Sequence, residues 1–152
     1  MQRIGMLTIG QSPREDILEG MRPYLTHAVE IVQRGALDDL DDATLAALRP
    51  EPGGSVLVTR LRDGTEVQVS HEKLVPLLRE GVNHLQECGV AFIVALCTGE
   101  LTDLQSDVLI VYPSRLLQGV VTGLAQGRSS RTRTRRSSRS STKRTRPSAR
   151  SS

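Results

Sequence analysis

At 152 residues, with 38% hydrophobic content, one Phe, two Tyr and no Trp, the chain has room for one domain whose core must be Leu, Val and Ile. The formal charge of +3 hides a segregation: residues 1–127 carry all 17 acids against 10 bases, a net of −7, while residues 128–152 carry the other 10 bases and no acid. A basic nucleic-acid-binding body is thereby excluded, and no run approaches the ~20 apolar residues of a membrane span.

The apolar run Ile4–Ile9 is interrupted by Gly5 and is too short for the core of a secretory signal. Two cysteines without such a signal point to reduced thiols and a cytoplasmic protein.

Arg3–Ile9 reads as a buried strand. It leads into Gly10-Gln11-Ser12-Pro13-Arg14-Glu15, where Ser12 fits a helix N-cap, Pro13 the first helical residue and Glu15 the return partner of a capping box. The helix is expected to reach Tyr24, with Ile17, Met21 and Tyr24 or Leu25 inward. This start has two readings: a structural cap, or an anion pocket made of Gln11, Ser12, Arg14 and the helix amides.

Ala28–Gln33 is a second strand. The acids Asp38, Asp39, Asp41 and Asp42 lack the spacing of a calcium loop and read as capping for a helix over Ala43–Leu48. Ser55–Leu61 and Thr65–Val69 flank Asp63-Gly64, a hairpin signal. An amphipathic helix follows over Ser70–Glu87 with Leu74, Leu77, Leu78, Val82 and Leu85 inward, Gly89 at its end and Pro76 as a source of a kink or a later start.

The chain's longest apolar stretch, Val90–Leu96, then stops at Cys97-Thr98-Gly99-Glu100. Seven apolar residues in a row fit a strand buried on both faces of a parallel sheet, and ligands of such sheets lie outside the carboxyl ends of the strands. Cys97 is therefore either a small core residue or a thiol at a ligand site, with Gly99 allowing close backbone approach. Cys88 sits at the strand's other end, some ~25–30 Å away, too far for a disulfide or a shared metal. If Val90–Leu96 runs parallel to the first strand, the helix before it starts at the same rim, which adds Ser70 and His71 as outer candidates. A short turn is expected at Thr102–Gln105, a last strand at Asp107–Tyr112 and a helix from Pro113-Ser114-Arg115 to Ala125, with Ser114 a further candidate anion contact. The expected fold is α/β: a three-layer, mostly parallel sheet with one hairpin, flavodoxin- or Rossmann-like.

Leu7-Thr8-Ile9-Gly10-Gln11-Ser12-Pro13-Arg14, Gly35-Ala36-Leu37-Asp38, Thr59-Arg60-Leu61-Arg62-Asp63-Gly64 and Leu96-Cys97-Thr98-Gly99-Glu100 together resemble the AroM family over about residues 2–126. More distantly, a strand ending in Cys-Thr is similar to the first half of the aspartate/glutamate and hydantoin racemases, where two α/β halves each supply a cysteine. That resemblance implies a cofactor-independent, racemase-like isomerase in intact form, with Cys97 as acid/base and Thr98 on a substrate carboxylate. The racemase motif has Asn between Cys and Thr, whereas Thr98 follows Cys97 directly. Inversion needs an acid opposite the base, so one thiol in one half is half a site.

Residues 128–152 hold nine Arg, one Lys, nine Ser and four Thr, and no side chain able to build a core. Such a tail, expected to be disordered from residue 127, is either a nucleic-acid-binding arm or the out-of-frame end of a GC-rich gene, leaving residues 1–126 as a truncated, inactive half. The expected partner is a small carboxylate or other small anion. Self-association through the face left by the absent half is expected as well, and nucleic acid only through the tail. A non-catalytic anion-binding module is the alternative, and neither cofactor nor metal is expected.

Overall fold

The structure, a computed structural model, describes residues 1–25, 28–97 and 104–133, the last seven of these by backbone alone. The elements follow in the expected order: β1 (Gln2–Thr8), α1 (Glu15–Met21) with a 3₁₀ turn at Arg22–Tyr24, β2 (Val29–Gly35), α2 (Asp42–Ala47), β3 (Val56–Arg60), β4 (Glu66–Ser70), α3 (His71–Glu87), β5 (Phe92–Leu96), β6 (Leu109–Val111) and α4 (Pro113–Arg133). Four strands form one parallel sheet in the order β2-β1-β5-β6, and β3 and β4 pair antiparallel as a separate two-stranded sheet. The fold is thus α/β as read from the sequence, with the hairpin standing apart from the main sheet.

β1 is the centre of the sheet, with Met6, Leu7 and Thr8 buried. α3 lays Leu74, Leu78, Val82 and Leu85 on one side of it, all fully buried, in one core cluster with Leu7 and Ile93. The leucine spacing of three and four residues puts these side chains on a single helix face. Ser70 caps α3 by accepting the Lys73 N–H, and Asp41 caps α2 by accepting the Thr44 N–H at 2.8 Å. Pro76 stands exposed inside a helix that nonetheless begins at His71. Gly64 closes the hairpin with φ of +88°, a conformation that other residues rarely adopt.

Three expectations are corrected. β5 is buried on one face only: Ile93 and Ala95 are fully covered, whereas Phe92, Val94 and Leu96 on the other face are half-buried. α1 begins at Glu15 with no side-chain cap, because Ser12 is engaged elsewhere, and Tyr24 lies 83% exposed in the 3₁₀ turn. α4 continues to Arg133, past the end expected at Ala125. Its arginines are good helix formers, and no Pro occurs between Pro113 and Pro147. The chain divides into two compact units, Met1–Leu117 and Gln118–Ser152. Thr98, Gly99, the first half of the turn expected at Thr102–Gln105 and residues 134–152 lie outside the described residues. Among the described residues no helix is long and apolar enough to cross a membrane.

Candidate functional site

β1 leads through α1 to β2 on one side and has β5 as its neighbour on the other, so the winding of the sheet reverses at the β1–β5 seam. Open parallel sheets bind ligands outside the carboxyl ends of their strands at such a seam. A cavity of about 720 Å³ opens there, with Ile9 beyond β1 and Leu96 and Cys97 at the end of β5 on its wall. Ile17 and Met21 of α1 face it, as does Val94 from the half-covered side of β5. The hairpin contributes Val58, Thr59, Arg60 and Glu66, and α4 contributes Ser114 and Leu117. Cys97 is half-buried, and neither it nor Cys88 is in a disulfide.

The approach to the cavity is held by a knot around Asp38. Its carboxylate accepts the Ser12 N–H at 2.6 Å, the Ser12 hydroxyl at 2.7 Å and the Gly35 N–H at 2.7 Å. Arg62 lies 3.6 Å from it, and the Asp38 side chain is only 9% exposed. Gly35 has to be glycine, since a Cβ there would sit 2.7 Å from both Asp38 Oδ1 and Ser12 N. Gln11 ties the same loop to its surroundings: its side chain donates to the Leu37 carbonyl and accepts the Arg62 N–H, and its own N–H donates to the Arg60 carbonyl at 3.1 Å.

This knot engages Gln11 and Ser12, two of the residues expected at an anion pocket. Ser12 does not cap α1, because a carboxylate brought to it from 26 residues away makes stronger, charge-assisted bonds than a helix amide. The first turn of α1 is already occupied by Glu15 and Asp16. Gln11 and Ser12 tie down this loop, and Arg14, further along it, lines the cavity. The Arg14 N–H donates to Gln33 Oε1 at 2.8 Å, and its Nε and Nη2 donate to Asp16 at 2.9 and 2.7 Å. That pairing holds the Arg14 guanidinium above its ordinary pKa and the Asp16 carboxyl below its own. A second cation on the wall, Arg60, is bonded to Glu66 at 2.9 Å.

Of the sequence candidates, the structure brings Cys97, Arg14 and Ser114 together from three separate elements. Ser70 and His71 do not line the cavity: the Ser70 N–H donates to the Leu48 carbonyl, its hydroxyl to Glu72, and the His71 N–H to the Ser55 carbonyl. Their rim is that of α2 and β3, and they serve to dock the start of α3. Thr59, Arg60 and Glu66 were not among the candidates. The alternation of the hairpin strand contained the signal, because a polar Thr59 shares the inward face of β3 with Leu57 and is buried to 6%. Among the described residues no group of His, Cys, Asp and Glu could hold a metal ion. A second cavity, of about 550 Å³, lies between α2 and β4 and includes none of the candidates.

A family model described as AroM protein matches residues 4–130. Comparison with the curated proteins and with the solved structures returns no match.

Proposed function

The chain belongs to the AroM family, and from that premise we propose that the cavity at the β1–β5 seam binds a small carboxylate, with the Cys97 thiol moving a proton at its α-carbon. What supports the reading is the convergence of a thiol, a guanidinium and a hydroxyl, Cys97, Arg14 and Ser114, on one cavity with apolar walls. Arg14 supplies charge and directional N–H donors for the carboxylate. The Cys97 thiolate takes the α-proton and becomes the thiol, while the C–H electron pair passes into the enolate of the bound acid. Return of a proton from the same thiol exchanges hydrogen without inversion, and inversion needs an acid on the opposite face. Thr98 and Gly99 belong to this reading as carboxylate contacts next to Cys97.

The test is exchange of the α-hydrogen of candidate acids in deuterated water, followed by NMR. Cys97→Ser is expected to abolish exchange with binding retained, and Arg14→Met to weaken binding by about tenfold or more, the scale of one charged hydrogen bond. Thiol labelling of the folded protein is expected to modify Cys97 faster than Cys88. Exchange unchanged in Cys97→Ser sinks the catalytic reading.

A binding module without chemistry is the second reading. It is favoured by one observation: Glu66, the other proton carrier on the described wall, is held by Arg60. Carboxylate binding without exchange in the wild type selects it.

A further inference from the structure

Val58, Thr59 and Arg60 of β3 line the cavity. The Leu61 N–H donates to the Thr65 carbonyl at 2.9 Å, so the main-chain groups of that pair face each other across the hairpin. With the register Thr59↔Val67 and Leu57↔Val69, alternation turns the N–H and C=O of Leu57 and Thr59 inward and those of Val58 and Arg60 outward. Two contacts agree with that phase: the outward Arg60 carbonyl accepts the Gln11 N–H, and the outward Ser70 N–H of β4 donates to Leu48. One outward step along β3 from Arg60 stands Val58, whose N–H and C=O have no partner among the described residues. Val58 lines the same cavity as Arg14 and Cys97.

We propose that the cavity takes an α-amido carboxylate with an apolar side chain, paired to the main chain of Val58. The proposal rests on the carboxylate reading above and narrows its ligand. A strand residue that faces outward exchanges two hydrogen bonds with whatever lies beside it, one given and one taken. An α-amido carboxylate matches both. Its amide N–H donates to the Val58 carbonyl, and one carboxylate oxygen accepts the Val58 N–H. The other carboxylate oxygen goes to Arg14, whose Nε and Nη2 are taken by Asp16 but whose Nη1 has no partner among the described residues. The side chain of the ligand meets Ile9, Val94 and Leu96. The same chemistry is carried by an N-acylated apolar amino acid and by the last residue of a peptide.

The experiment is calorimetric titration of the full chain with N-acetyl-leucine, with its ester analogue 2-acetoxy-4-methylpentanoate and with plain 4-methylpentanoate. N-acetyl-leucine is expected to bind about threefold to tenfold more tightly than either of the others, the net worth of one neutral hydrogen bond. Val58→Pro removes only an outward N–H and leaves the C=O, at a position where an edge strand tolerates proline, and is expected to weaken binding of all three acids severalfold while N-acetyl-leucine keeps its preference over the ester. Equal binding of amide and ester by the wild type overturns this inference and leaves the carboxylate reading standing. Binding of none of the three overturns both. Should Val58→Pro fail to fold, the amide-against-ester comparison on the wild type decides alone. Gly-Gly-Leu binding as tightly as N-acetyl-leucine assigns the site to peptide ends, and weaker binding of the tripeptide assigns it to acylated amino acids.

Discussion

On one side of the main sheet, Ile93 of β5 is sealed in one cluster with Leu78, Val82 and Leu85 of α3, and Ala95 is fully buried. On the other, Phe92, Val94 and Leu96, from the same five-residue strand, are half-buried, and Val58 and Leu117 remain 58% and 66% exposed beside the cavity. A single apolar run therefore serves two purposes by its period of two. Ile93 belongs to the interior, and Val94 and Leu96 present apolar surface to the cavity. Consecutive fully buried side chains occur in β1, the other inner strand, at Met6, Leu7 and Thr8.

The comparison breaks most visibly on large-to-small substitution. Leu78→Ala, at a fully buried site, is expected to lower the unfolding free energy by about 2–5 kcal/mol. Val94→Ala, on the half-covered side, is expected to cost under about 1 kcal/mol. Denaturant unfolding of the pair measures this, and equal losses would mean that the two sides are packed alike.

Next in size comes Asp38→Ala. Removing the carboxylate leaves the Ser12 and Gly35 N–H groups without their partner. The expected loss is about 2–3 kcal/mol, with weaker carboxylate binding because the loop that carries Arg14 loosens. A variant with unchanged stability would show that the knot is not holding the loop.

The smallest effect belongs to the Arg14–Asp16 pair. Hydrogen bonding from Arg14 holds the Asp16 carboxyl below its ordinary value of 3.8. A lowered folded-state pKa stabilises the protein fully above the unfolded value, and that contribution is lost as pH falls below 3.8 through the folded one. Because Asp16 is mostly in water, the contribution is under about 1 kcal/mol. Asp16→Asn should therefore differ slightly from the wild type at pH 7 and converge with it in strong acid, as followed by unfolding across pH.

Much of the fold was legible because its signals are local. The order of elements, the Asp63-Gly64 hairpin, the acidic cap of α2 and the placement of Cys97 at a strand end all depend on residues within a few positions of one another. Ser12 carried an equally good local signal and was misread, since its true partner is Asp38. Arg60 and Thr59 were missed because nothing in a hairpin's sequence says which cavity its edge will border.

The sequence by itself determined that this chain is an α/β domain with a thiol at the carboxyl end of its longest apolar strand, because periodicity and capping are properties of neighbours along the chain. Only the tertiary structure decided that Ser12 serves Asp38 and that one side of β5 stays half-covered. It also decided that Cys97 shares a cavity with Arg14, Ser114 and the edge of β3. Those outcomes depend on competition among groups that meet only when the sheet assembles. A carboxylate 26 residues distant then outbids a local cap, and the strand order selects which ends lie together.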